Sequence, residues 1–230
     1  QAGDKAQTRS AYREAVVCFE QALAALEHLP DSRAATEQAI DLRLGLRSAL
    51  SVLGEAPGRM LDHLRRAETL AQTLGDPLRL GQVYADMGAN FWLEGEVERA
   101  IAYGQRALAL ALDATLGHVG LQARAHFRLG QAYYDAGDYP RAVESFERNV
   151  ATLQGDLLSE RFRYNSSIAA ASRAWLSLCH AELGAFTEGL ALADEGRRIA
   201  ETVQNPFSLI NVCQGISAVY LRQGDVQRAV

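Results

Sequence analysis

Hydrophobic and polar residues follow a pattern along this chain that returns roughly every 40 residues. Each copy has a small apolar cluster, an aromatic residue about four positions later, a glycine with an acidic or aromatic residue near it, and then an alanine. The glycine marks a helix end, because it adopts the left-handed backbone conformation at little cost. Each copy therefore predicts a helix, a tight turn and a second, antiparallel helix. The alanines or their substitutes are Ala15, Met60, Ala100, Ala142, Gly189 and Ala229.

Small and large residues have separate roles in each copy. Small residues such as Gly88 and Gly130 allow two helices to approach closely, and large residues such as Phe91 and Phe146 fill the space beside them. The pattern predicts helices at about 5–29, 33–53, 58–74, 78–94, 96–114, 118–136, 140–154, 165–183, 186–203 and 206–223, with another beginning near Val226.

The longest interruption of the helical pattern is the segment 155–167, which mixes arginines and aromatic residues with turn formers. It is either an ordinary connector that covers one edge of the stack or an interaction loop. Exposed aromatic residues beside Arg161 and Arg163 would suit recognition of a partner.

Composition agrees with an all-α fold. The 230 residues are 48% hydrophobic and only 7% aromatic, and Ala and Leu are far commoner than Val, Ile and Thr. No apolar stretch is long enough for a membrane span. The net charge of −5 argues against nucleic acid as a partner. Three scattered cysteines fit neither a disulfide framework nor a metal site, so we expect a reduced, cytoplasmic protein.

Motifs that carry chemistry are absent from the sequence. It has no phosphate-binding loop, no glycine-rich dinucleotide motif, no nucleophile elbow and no closely spaced pair of histidines. Charged residues at helical spacing are typical of a solvated face. We therefore predict no catalytic residue, no metal and no cofactor, and expect that this chain is not an enzyme.

The repeated pattern resembles the tetratricopeptide repeat, whose units have about 34 residues, here in a long-period form. The resemblance implies one right-handed superhelical α-solenoid of antiparallel helix pairs over residues 1–230. It implies partial repeats at 1–30 and 206–230, with complete repeats at about 36–75, 78–117, 118–158 and 165–203. Glycines stand at Gly104, Gly189 and Gly196, where the family has larger residues. Either the repeats have diverged at these positions, or the array has a flexible joint at 170–203.

A narrower resemblance concerns the run Ala39–Leu50, the helix around Leu61–Leu64 and the sequence Asn90–Trp92 before Gly95. These are similar to the C-terminal arrays of bacterial signalling proteins that carry an adenylate or guanylate cyclase domain and an ATPase module. The chain starts without methionine and stops inside a repeat, so we interpret it as a piece of such a longer protein.

In the tetratricopeptide family the first helices line a concave groove that binds a partner. Two of the matching positions, Trp92 and Tyr134, either anchor a peptide or pack between adjacent helices. Some members of the family clamp the C-terminal carboxylate of chaperone tails. This chain does not match that clamp, because Ser48 and Ala89 stand at its asparagine positions. An acidic peptide is still an alternative ligand. The groove residues that the resemblance implies are Asp41, Gln82, Trp92, Arg124, Phe127, Gln131 and Tyr134.

These observations favour a non-catalytic scaffold or regulatory arm that binds a protein, a peptide or another domain of its own chain. The alternative is a sensor of a small effector molecule, because the groove aromatics could accept one. We also expect self-association through the last repeat, whose apolar residues Ile216, Val219 and Tyr220 lack a partner helix.

Overall fold

The computed structural model describes residues 2–113, 117–162 and 164–229. This part of the chain is built of α-helices and one short 3-10 helix at Gly155–Leu158, with no β-strand. The α-helices are α1 (Ala2–Thr8), α2 (Tyr12–Leu26), α3 (Arg33–Val52), α4 (Pro57–Leu74), α5 (Pro77–Leu93), α6 (Val97–Ala111), α7 (Val119–Asp135), α8 (Tyr139–Thr152), α9 (Ile168–Glu182), α10 (Phe186–Val203), α11 (Pro206–Gln223) and α12 (Val226–Ala229).

The predicted helix at 5–29 is wrong, because the structure has two helices there. Ser10 takes a left-handed conformation with φ of 60° and ends α1. The amide of Ala11 then donates to the carbonyl of Ala6 at 2.9 Å, which closes the helix end. The turns within the later helix pairs use glycine at this place, so the sequence carries no comparable signal here. The first pair of helices is therefore present as α1 and α2.

The tight turns within the helix pairs share one geometry, as the glycine pattern predicts. The glycines at 54, 95, 137, 184 and 224 have φ between 70° and 81°. In each turn the next amide reaches back to a carbonyl five residues earlier, for example Glu96 to Phe91 and Asp138 to Tyr133, both at 2.9 Å. This left-handed helix end reverses the chain and makes each pair antiparallel.

The helices form two layers that curve around a common interior. The first helices of successive pairs pack on one another in the order α3, α5, α7, α9 and α11. The second helices α4, α6, α8 and α10 pack against first helices on either side. Because the first helices lie closer together, they form the concave side of the solenoid and the second helices form the convex side.

Small residues set the helix spacing, as the sequence pattern predicts. A Cβ atom added to Gly130 would lie 2.5 Å from the ring of Phe146, and one on Gly88 would lie 3.2 Å from the carbonyl oxygen of Ala100. The unexpected glycines follow the same rule: Gly189 and Gly196 each lie against a backbone carbonyl of α9. They permit close packing, so the structure gives no support to a flexible joint at 170–203.

None of the described helices combines the length and the apolar character that crossing a lipid bilayer requires.

Candidate ligand-binding groove

The concave side contains two adjoining cavities between the first helices and the connector that joins α8 to α9. The larger has a volume of about 210 Å³ and the smaller about 120 Å³. Both are lined by Ser48, Asp86, Tyr164 and Asn165. Helices α3, α5 and α7 therefore present one continuous surface to the interior. We call the two cavities together the groove.

The floor of the groove holds a buried ionic cluster. Asp86 of α5 lies between Arg124 of α7 and Arg47 of α3, with its Oδ1 atom 2.5 Å from Nη2 of Arg124 and 3.6 Å from Nη1 of Arg47. The three side chains are each exposed by less than a tenth. Burial would raise the pKa of Asp86, but Arg124, Arg47 and Arg128 together hold it below its usual value. The carboxylate is therefore ionised and fixed between neighbouring repeats.

A third guanidinium group, that of Arg128, lies one turn after Arg124 on α7. Its Nη1 atom donates to Oε1 of Gln131 at 2.8 Å, and its guanidinium carbon lies 4.9 Å from the ring centroid of Tyr164. Burial lowers the pKa of Arg128, and it lowers that of Arg47 to about 10 although Asp86 opposes the shift. Nε of Arg47 has no hydrogen-bond partner among the described residues. The cluster thus has an excess of buried cationic groups.

The connector between α8 and α9 reaches the interior of the solenoid with Tyr164 and Asn165, and so does more than cover an edge of the stack. The ring of Tyr164 packs on Phe127 with centroids 5.2 Å apart, and Asn165 Oδ1 accepts a hydrogen bond from Ser48 Oγ at 3.5 Å. The end of the connector is anchored on α11, where the amide of Ser167 donates to Ser208 Oγ at 2.9 Å. A short irregular segment of the chain therefore lies in the groove.

The sequence predicts a loop contact for two arginines of the connector, Arg161 and Arg163. Arg161 lines the larger cavity and donates from Nη2 to the backbone oxygen of Asn165 at 3.3 Å. It thus stabilises the connector. Arg163 lies outside the described residues.

Trp92 and Tyr134 both pack against Trp175 of α9. The Trp175 ring centroid lies 6.0 Å from that of Trp92 and 5.5 Å from that of Tyr134. The Tyr134 hydroxyl donates to Glu182 at 2.9 Å, and burial together with Glu182 raises the pKa of Tyr134. Trp92 Nε1 donates to Asp135 at 2.5 Å. Both rings therefore pack between first helices, and Trp92 also lines the smaller cavity.

The remaining predicted groove residues fall into different environments. Phe127 is 1% exposed between Phe146 and Tyr164, so its ring lies beneath the connector and lines neither cavity. The prediction that Phe127 lines the open groove is therefore wrong. Gln131 is 2% exposed beneath Arg128. Asp41 is half-buried and accepts from Arg79 at 3.1 Å, outside the two cavities. Gln82 is half-buried on α5.

Sequence reasoning missed most of the ionic cluster and Trp175. A signal was available, because Arg47, Asp86 and Arg124 lie nearly one repeat apart and interrupt helix faces that are otherwise apolar. The role of Tyr164 had no such signal, since an irregular connector has no periodicity. Among the described residues no group of three histidines, cysteines or carboxylates is placed to hold a metal ion.

Residues 79–154 match the family model of the tetratricopeptide repeat. This confirms the resemblance for the central part of the chain, which includes most of α5 and all of α6 to α8. No curated protein matches the chain at a significant level.

Solved structures show the same fold over most of the chain. A Rap protein complexed with Competence and Sporulation Factor is similar with a TM-score of 0.78 and 17% identity, over 99% of this chain and 59% of that one. The Rap conjugation gene regulator of plasmid pLS20, in complex with the Phr* peptide, has a TM-score of 0.74 and 17% identity, over 99% of this chain and 70% of that one.

A kinesin light chain with nearly identical repeats from Podosopora anserina has a TM-score of 0.60 and 20% identity, over 88% of this chain and 92% of that one. The fold is therefore an all-α, right-handed solenoid of antiparallel helix pairs, as the sequence predicts. This chain spans 59% of the length of the first Rap protein.

Proposed function

We propose that this chain is a non-catalytic interaction module that binds an extended protein segment in its groove. The segment belongs to a peptide, to a partner protein or to another domain of the parent chain. We further propose that residues 1–230 form one array with the repeat limits given above. In this proposal the array is a regulatory arm of a larger bacterial signalling protein of the cytoplasm, related to the cyclase and ATPase proteins.

The observation that carries the proposal is the connector in the groove. Tyr164 and Asn165 belong to an irregular segment, and they contact α3 and α7 through a ring contact and a side-chain hydrogen bond. A surface that holds one short irregular segment has the donors and apolar contacts that a second one needs. The complex of the Rap conjugation gene regulator with the Phr* peptide, which has the same fold, also favours a peptide as the ligand.

A binding role suits the chemistry of the groove better than a catalytic one. The charged groups that line the smaller cavity are three guanidinium groups and one carboxylate that is ionised and ion-paired. A guanidinium group does not exchange protons near neutral pH, and a carboxylate fixed between two arginines is a poor base. These groups can orient and neutralise a ligand.

The test is a screen of bead-bound random nonapeptides with the fluorescently labelled chain. Leu93→Arg places a charge at the rim of the smaller cavity, and Leu112→Arg is its matched control at an exposed helix end on the convex layer. We expect the unaltered chain and Leu112→Arg to select the same peptides. Leu93→Arg is expected to lose them while its helical circular dichroism is unchanged. Failure of the unaltered chain to select any peptide contradicts the proposal.

A sensor of a small effector molecule is the second candidate, and the smaller cavity favours it. That cavity has a volume of about 120 Å³ and brings Trp92 together with three arginines. Small-molecule sites typically combine an apolar wall with a few converging polar groups. A compound that changes Trp92 fluorescence and raises the Tm, in a chain that selects no peptide, would favour this candidate.

A further inference from the structure

The ionic cluster on the groove floor is not electrically balanced. Within the described part of the chain, Asp86 is the carboxylate that the guanidinium groups of Arg47, Arg124 and Arg128 share. The three arginines and Asp86 all line the smaller cavity. Buried charges are normally paired, so an excess of positive charge beside a cavity is a site for an anion.

The geometry leaves donors of the cluster free to bind such an anion. Arg124 makes the close contact to Asp86, whereas Nη1 of Arg47 is 3.6 Å away, beyond hydrogen-bond distance, and Nε of Arg47 has no partner. Arg47 is 5% exposed, so its donors have little access to bulk water. Arg128 is bonded to Gln131 and not to a carboxylate. A carboxylate that entered the cavity would meet donors from two helices.

One wall of the cavity is formed by the connector and not by a helix. Tyr164 and Asn165 lie beside the cluster, and the direct hydrogen bond of Asn165 to Ser48 is long, at 3.5 Å. The other walls are helices. A ligand group can therefore reach the arginines by displacing these two connector residues without disturbing helix packing.

We propose that Arg47, Arg124 and Arg128 form an anion site that receives a carboxylate group of the bound segment, either an acidic side chain or a terminal carboxylate. Asp86 partly occupies this site from within the protein and sets its affinity. Guanidinium groups suit a carboxylate because their planar N–H donors match its two oxygens. The inference rests on the proposed function for the origin of the carboxylate but not for the existence of the anion site.

The experiment is calorimetry of the whole chain with succinate as the probe, against sodium chloride at equal ionic strength. Arg128→Gln should weaken succinate binding about tenfold, since it removes a cation that makes no hydrogen bond to Asp86. Asp86→Asn should strengthen binding about tenfold, because it removes the internal competitor. Arg148→Gln on α8 is exposed and serves as the control that leaves binding unchanged.

If Asp86→Asn does not fold, Arg128→Gln still decides the matter. Equal binding by Arg128→Gln and the unaltered chain overturns the proposal, as does stabilisation by inorganic phosphate without any by succinate. The peptide source is tested with the random nonapeptide beads, among which selected sequences should be enriched in Asp and Glu. Peptides selected without that enrichment, in a chain that ignores succinate, would overturn this inference and leave the proposed function standing.

Discussion

Tyr12 at the start of α2 and Phe207 near the start of α11 contact each other edge to face, with ring centroids 6.2 Å apart and an interplanar angle of 85°. The two residues lie near opposite ends of the chain, so the array curves strongly enough to bring its first and last helix pairs together. Tyr12 also lines the larger cavity. This contact, which we call the seam, therefore encloses the groove.

Removing the seam should open the solenoid. Phe207→Ala deletes an aromatic pair whose geometry contributes about 0.5–1.5 kcal/mol beyond its buried area. We expect a larger radius of gyration by small-angle scattering and faster hydrogen exchange of the connector. Phe186→Ala, which removes a half-buried ring from α10 away from the seam, is the control. An unchanged radius of gyration would mean that helix stacking alone sets the curvature.

Asp86 should contribute stability that acid removes. Its pKa in the folded protein is held below the value near 4 of an unfolded aspartate, so its contribution is complete above about pH 4 and is lost as pH falls through the folded pKa. Asp86→Asn breaks a buried pair and should cost about 3–5 kcal/mol at pH 7. Urea unfolding from pH 3 to 7 measures this difference, which should shrink at acidic pH; a constant difference would contradict it.

The hydroxyl of Tyr134 should stabilise the stack of first helices. Its hydrogen bond to Glu182 joins α7 to α9, and a bond to a charged group contributes about 1.5–3 kcal/mol. Tyr134→Phe keeps the ring on Trp175 and should lose about this amount in urea unfolding. Tyr139→Phe is the control, since its ring also contacts Tyr134 but its hydroxyl makes no hydrogen bond to a described residue. Equal unfolding midpoints for the two variants would show that the bond contributes nothing.

Gly130 should be intolerant of alanine although it lies inside a helix. The added Cβ would be 2.5 Å from the fully buried ring of Phe146, and overpacking of this kind costs about 1–3 kcal/mol. Gly58→Ala in α4 meets nothing within 4 Å, so it should be neutral or stabilising by up to about 1 kcal/mol. Thermal unfolding of Gly130→Ala and Gly58→Ala measures the difference in their stability. Equal stabilities would show that Phe146 moves aside.

The chain should self-associate through α11, but not through the residues that the sequence indicated, because Val219 is buried and Ile216 packs in the core. The outer face of α11 carries Leu209, Ile210 and Leu221 instead. Ile210 is 54% exposed and Leu221 52%, so they form one apolar patch with Cys213. We expect sedimentation velocity to show a concentration-dependent dimer that Ile210→Lys abolishes. Leu183→Lys, at a separate exposed leucine, should leave it intact. A monomer at all concentrations would show that the patch is too small to bind a second copy.

The sequence predicted only part of the groove, because the residues that face the cavity depend on how each helix is rotated about its own axis. On α7 the family pattern points to Arg124, Phe127, Gln131 and Tyr134, which span a wide face of the helix. Adjacent residues differ by about 100° around a helix axis. Phe127 therefore enters the core while Arg128 reaches the cavity, and the rotation of α7 about its axis decides which of the two faces the cavity. That rotation depends on the packing of Phe146 and Tyr164 against Phe127, which no local pattern records.

What the sequence determined by itself is the series of helix pairs and the closeness of their packing. Helix ends, left-handed glycines and small contact residues depend on neighbours a few positions away, and the period makes them visible in each copy. Ser10 and Gln204, which end α1 and α10 in the left-handed conformation without a glycine, are exceptions.

The tertiary structure alone decided what the interior contains. The excess of arginines around Asp86, the passage of Tyr164 through the groove and the contact of Tyr12 with Phe207 all depend on the total curvature of the array. Curvature is the sum of small rotations between neighbouring repeats, and each rotation follows from side-chain packing. Small differences in packing add up along the chain, so residues that are far apart in sequence meet only when every repeat is in place.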